Sequence, residues 1–152
     1  MGGIKAAFLS VVIILGVLLS CKNPFRSEQT LRFSTILKGS YCAFEKPTDL
    51  VIKDKSIWEQ LWYRMFPDSQ SVPPEVNFSQ EMVIVTARGG VFPNSGYTTE
   101  IVEIKKEDDI TVKVVNKNPR GIVLPVLTCP THIVRTKRYD LKVRFEKLYP
   151  IF

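Results

Sequence analysis

The reactive side chains of this chain are few: Cys21, Cys42, Cys129 and a single histidine, His132. A thiol within reach of an imidazole is a nucleophile pair, because the ring takes the thiol proton and leaves a thiolate. Cys129 and His132 are near in sequence, but side chains three apart on an extended strand face opposite sides. No Asn or Asp stands out to orient the ring. Cys42, Cys129 and His132 taken as metal ligands leave a zinc site one ligand short and lack the tight spacing of a metal loop. The acids Glu107, Asp108 and Asp109 lack the ligand spacing of a calcium loop and read as a solvated turn. There is no Gly-x-Ser-x-Gly elbow, phosphate loop or paired-carboxylate signature. The expectation is a chain that is not an enzyme, with no catalytic residue, no metal and no cofactor.

Cys21 has a different context. Met1 to Lys5 carries one positive charge, Ala6 to Leu19 is almost unbroken apolar sequence, and the run ends in Leu18-Leu19-Ser20-Cys21. It is shorter than the roughly 20 residues that span a bilayer comfortably. These features resemble a bacterial lipoprotein signal peptide, with Ser20 in the small position before the cut and Leu19 bulkier than usual beside it. The resemblance implies cleavage after residue 20, acyl chains on Cys21 and firm membrane attachment, since two or three chains bind far better than one. Residues 21–30, polar and broken by Pro24, read as a tether. Residues 31–152 read as a single domain. Lys22 does not resemble the aspartate that marks inner-membrane retention, so the expected place is the outer membrane or cell surface. Outside the cytoplasm thiols oxidise, and Cys42 and Cys129 are the two left. They form either a disulfide or two separate buried thiols that pack as small hydrophobes, and the sequence leaves both open.

The elements that must position these residues centre on Glu81 to Lys105. Met82 to Val85 suits a buried strand. Gly89 and Gly90 break it, Val91 to Ser95 forms a loop, and Gly96-Tyr97 opens a second strand through Lys105. The loop tip, Phe92 and Pro93 with Gly96 and Tyr97, is the candidate partner contact; the competing reading folds Phe92 back as a cap on the core. Lys106 to Asp109 turns into a strand from Ile110 to Asn116, with Ile110, Val112 and Val114 on one face. Upstream, strands are expected at Leu31–Lys38, Tyr41–Phe44 and Thr48–Lys53, with a turn at Gly39-Ser40. Ser56-Ile-Trp-Glu59 matches a capping box. Trp58, Leu61, Trp62, Met65 and Phe66 make the apolar stripe of one amphipathic helix that Pro67 ends. Ile122 to Leu127 contains Pro125 and reads as an edge, a bulge or a covered loop. The last strands are Thr131–Arg138 and Leu141–Lys147. The fold class is α+β, mainly β: an antiparallel sheet or sandwich with one amphipathic helix packed on it.

A chain of 152 residues with 45% hydrophobic and 24% charged residues can build a real core and is not of disordered composition. The formal charge of +6 would admit nucleic acid, anionic lipid or an acidic protein. A solvated basic surface accounts for it as well, and no nucleic-acid partner is expected. Arg135, Lys137 and Arg138, with Lys142 and Arg144, could form a basic strip at one end.

From about Val51 to Phe145 the chain resembles the PrcB C-terminal domain family, found in protease-complex lipoproteins. The features are Trp58, Leu61 and Trp62, then Asn77-Phe78-Ser79-Gln80-Glu81-Met82-Val83. Gly89 and Pro93 precede Ser95-Gly96-Tyr97, Pro119 marks a turn, and Thr128-Cys129-Pro130-Thr131-His132-Ile133-Val134 leads the late strand. Asn77, Asn94-Ser95 and Thr98-Thr99 depart from the family pattern. The resemblance implies a mostly β domain that assembles or stabilises a surface protease complex without being a protease. The expected function is a membrane-anchored, non-catalytic lipoprotein that binds an exported or surface protein. The alternative is a surface lipoprotein that binds anionic glycans or lipids through its basic strand face.

Overall fold

The computed structural model describes residues 27–68 and 70–150. In chain order the elements are β1 (Gln29–Thr30), β2 (Phe33–Ser40), β3 (Thr48–Ile52), α1 (Lys55–Met65), β4 (Glu81–Ala87), β5 (Thr98–Lys106), β6 (Ile110–Lys117), β7 (Pro130–Lys137) and β8 (Val143–Leu148). They make two four-stranded sheets, β1-β5-β6-β8 and β2-β7-β4-β3. Every pairing is antiparallel except β6 with β8. The architecture is mainly β with one short helix, as expected.

β4 explains the layering. Its unbroken apolar run needs cover on both faces, because successive side chains alternate. Met82 and Ile84 point between the sheets and meet Ile101, Ile104, Ile110, Val112, Val114 and Val134. Val83 and Val85 point the other way, with Ile133, and meet Trp58, Leu61 and Trp62 of α1. The result is three layers, sheet on sheet on helix. Each indole N–H finds a carbonyl, Trp58 at Pro74 (3.0 Å) and Trp62 at Ser71 (3.2 Å). The Pro- and Ser-rich loop thereby closes over α1 without leaving a buried donor unpaired.

Several expected boundaries move. The N-cap is Asp54, not Ser56: Asp54 has extended backbone (φ −131°, ψ 135°), and its side chain accepts from Ile57 N. Ser56 lies inside the helix, where its Oγ accepts from Gln60 Nε2. Aspartate caps as well as serine does, and the short link from β3 starts the helix at the first acceptable residue. Gly39 and Ser40 do not turn the chain; they end β2, paired with Thr131 and Pro130. Tyr41–Phe44 forms no strand. Gln29 and Thr30, at the end of the expected tether, are paired with Lys106 and Lys105 as β1. Residues 122–127 are neither edge strand nor covered loop but an exposed loop. β7 and β8, consecutive in sequence, lie in different sheets.

The strand directions give the sandwich two ends. One holds the incoming β1, the 107–109 turn and the link from β7 to β8. The other holds the connections 41–47, 88–97 and 118–129.

Candidate functional site

Cys21 lies outside the described residues. Cys42 and Cys129 are bonded, with Cα atoms 5.0 Å apart and a sequence separation of 87. A disulfide sulfur cannot act as a thiolate, so a Cys129/His132 nucleophile pair is not available in this state. Among the described residues no cluster of His, Cys, Asp and Glu could hold a metal ion.

His132 is buried, on the face of β7 that looks across to the other sheet with Val134. Its Nδ1 accepts the backbone N–H of Ile101 at 2.8 Å, so Nε2 carries the proton and donates to Thr35 Oγ1 at 3.0 Å. The reason lies in β5. It pairs with β6 on one side, but β1 covers its other edge only at Lys105 and Lys106. The ring takes the Ile101 N–H that this open edge would leave unpaired. Burial, together with the Lys38 ammonium, pushes the His132 pKa down to about 4, partly offset by Glu100. Lys38 and Glu100 form an ion pair of 2.6 Å beside it. Both ring nitrogens are occupied, and the histidine acts as a staple between sheets.

The candidate contact residues sit at the other end from β1. The rings of Phe92 and Tyr97 lie 4.5 Å apart. The Arg88 guanidinium lies 4.7 Å and 5.2 Å from their centroids, and donates to Lys117 O (2.8 Å) and Asn118 Oδ1 (3.0 Å). Burial lowers its pKa. Phe92 and Tyr97 are therefore half-buried supports for the loop, Pro93 is exposed, and Gly96 presses on Pro119. Phe92 also forms a two-bond bridge with Thr128 (2.8 and 2.9 Å), and Leu124 N donates to Ser95 Oγ. These bonds hold segment 122–128 against the loop 91–97.

Outside those supports stands a surface the sequence reading missed. Ile122 is fully exposed, Leu124 and Leu127 are about 70% exposed, and Val91 and Val126 are exposed beside them. We call this the crest. Its sequence signal was the run Ile-Val-Leu-Pro-Val-Leu, which reads equally well as core until its place between two loops is known. A cleft of about 710 Å³ runs beside it, lined among others by Gly96, Thr98, Lys117, Pro119 and Tyr149.

Two glycines are expected to be intolerant. A Cβ on Gly96 would lie 2.0 Å from Pro119 Cβ and 2.6 Å from its Cα; on Gly89 (φ 71°) it would lie 1.9 Å from the Lys46 carbonyl carbon. Gly96→Ala and Gly89→Ala should each cost about 1–3 kcal/mol, because backbone must shift. Thermal unfolding reads this; an unchanged midpoint for either variant would contradict the close packing.

The residues of the expected basic strip are divided between the two sheets and the link that joins them. Arg135 belongs to the β2-β7-β4-β3 sheet and donates to Ser34 Oγ and Glu75 O. Arg138 donates to Phe78 O (2.6 Å) and Lys53 O (3.2 Å). The Lys137 ammonium sits over Tyr139. Arg144 lies on the other sheet and pairs with Asp109, and Lys142 lies in the link between the sheets, before β8. None of the known protein families, curated proteins or solved structures compared with the chain matches it.

Proposed function

We propose that the chain is a lipid-tethered, non-catalytic binding module of the bacterial envelope that docks an exported protein through the crest. The observation that carries this is the row of exposed aliphatic side chains Val91, Ile122, Leu124, Val126 and Leu127 on two loops bonded to each other. Exposed aliphatic side chains gathered on two bonded loops of a folded domain are the kind of surface that binds a partner. Phe92, Tyr97 and Arg88 support it from behind, so the loop presents its apolar residues on a stiff base. The lipobox-like sequence before Cys21 supports the tether. The likeness to the PrcB C-terminal domain family points to a protease complex as the partner.

The test is co-purification from gently solubilised membranes with a C-terminally tagged chain. An exported protein should accompany it in stoichiometric amount. Ile122→Asp with Leu124→Asp should remove that partner, weakening binding about 30-fold or more for a loss of at least about 2 kcal/mol. Both residues are exposed, so the thermal midpoint should not move. A partner retained by the double variant, or a lipidated chain that comes out alone, ends the crest reading.

A further inference from the structure

We infer that β8 is a self-complementary sheet edge, and that two copies of this chain pair there, antiparallel, to join their β1-β5-β6-β8 sheets into one. The inference stands on strand register and charge, and rests on neither the lipid anchor nor the crest.

The hydrogen-bond pattern shows which groups this edge offers. Ile110 N donates to Lys142 O, and β6 pairs with β8 in unbroken parallel register from Val143 to Leu148. Successive residues of a strand turn their backbone groups to opposite sides. Arg144, Glu146 and Leu148 therefore turn theirs to β6. Val143, Phe145 and Lys147 turn theirs outward, where no described residue bonds them. Free edges are usually blunted, and two others here are. On β5, Leu31 N donates to Ile104 O, and the His132 ring takes the Ile101 N–H. On β2, the register shifts between Thr35 and Leu37. β8 has neither a shift nor a cap.

A second β8 fits this edge in few ways. Outward groups must meet outward groups, so odd positions pair with odd positions. With Phe145 on the two-fold axis, Val143 meets Lys147 of the second copy. Arg144 then stands opposite Glu146 of the second copy, twice by symmetry. These are non-hydrogen-bonded pairs, with Cα atoms about 4.5 Å apart and side chains close. A slip of two residues one way sets Arg144 against its own copy, and the other way sets Glu146 against its own. Like charges directly opposite destabilise a sheet, so charge selects the one register.

Both side chains lie on the exposed face of the sheet. Glu146 is beside Lys113 in the β6–β8 register, but Lys113 pairs with Glu103 at 2.7 Å. Glu146 makes no ion pair among the described residues. Arg144 donates to Asp109 from Nη2, and a guanidinium fork has further donors for a second carboxylate. On the other face Phe145, half-buried against the core between the sheets, gains its own copy as an aromatic neighbour. β8 runs parallel to β6, whose Lys117 end adjoins the crest. Antiparallel pairing therefore sends the two crests to opposite ends and covers neither.

Sedimentation of the full chain in density-matched detergent, over a concentration series, measures the dimer. Glu146→Arg should weaken it about tenfold or more, because two attractive pairs become repulsive. Adding Arg144→Glu to that variant reverses both signs and should restore it. Ile122→Asp with Leu124→Asp should leave it unchanged, which separates this edge from the crest. Register is read by oxidation and peptide mass spectrometry. Arg144→Cys chains mixed with Glu146→Cys chains should form a disulfide between positions 144 and 146, while either variant alone should not link at its new thiol. Glu146→Arg changes an exposed side chain, so its thermal midpoint should stay in place and a lost dimer is not a lost fold. A chain that stays monomeric throughout the series overturns the inference. So does a dimer indifferent to Glu146→Arg, which is what two chains sharing a micelle by their anchors would give. Equal linking in the unmixed variants overturns the register and with it the charge argument.

Discussion

Replacing Cys42 and Cys129 by serine should lower the stability of the folded domain by about 4–5 kcal/mol. The bond closes a loop with a sequence separation of 87. In the chain-entropy model a cross-link over that length removes this much freedom from the unfolded state. The bond also has local work in the native state. Tyr41 N donates to Cys129 O, Cys129 N donates to Ser40 Oγ, and the next residue back, Thr128, bridges Phe92. Loss of the bond should thus loosen the base of the crest as well as the domain. Equilibrium unfolding in guanidinium chloride at one pH, oxidised chain against the double serine variant, measures the difference. A gap below about 1 kcal/mol would mean that the oxidised unfolded chain gains nothing from the constraint.

Acidification should destabilise the domain through His132 well before the carboxylates titrate. Its pKa is about 4 in the folded protein and about 6.5 in the unfolded chain. Between those values the unfolded state binds the extra proton, so stability rises with pH. The contribution is present in full above about pH 6.5 and is lost as pH falls toward 4. The loss is about 2 kcal/mol by pH 5 and about 3 kcal/mol by pH 4. The physical event is protonation at Nδ1, which turns the acceptor of the Ile101 N–H into a second donor facing it. The charges nearest the ring are Lys38, which opposes protonation, and Glu100, which favours it. Glu100 itself is held below the usual carboxylate range, first by its bond from Lys38. His132→Gln should remove most of the pH 5–7 slope. A variant that keeps the full slope would assign the acid sensitivity to another group.

Much of the fold could be read from residue pattern. The run Met82–Val85 announced a buried strand, the stripe from Trp58 to Phe66 announced the helix, and Ile110, Val112 and Val114 announced a one-sided strand. Each of these is a local periodicity that a single buried surface imposes. What could not be read was set by distant chain. Nothing near Val143 says that β8 pairs in parallel with β6 rather than with β7 beside it. Nothing near His132 says that it will face the open edge of β5. The helix start was missed because Asp54 and Ser56 are both good caps, and only the length of the link from β3 decides between them. The site was half legible. The loop carrying Phe92 and Tyr97 was found, but those rings turn inward, and the exposed apolar surface belongs to Ile122–Leu127 across a loop-to-loop pairing that has no sequence signature.

The order β2-β7-β4-β3 has a consequence for how the molecule is made. β7 lies between strands synthesised long before it, so one sheet stays divided until residues 130–137 exist. The other sheet stays without its last edge until β8 follows. Pairings this far apart in sequence must wait for slow loop closure, and such topologies fold late and slowly. A chain wired in this way stays without its final pairings for nearly its whole length. It commits to structure only when its final segment has emerged.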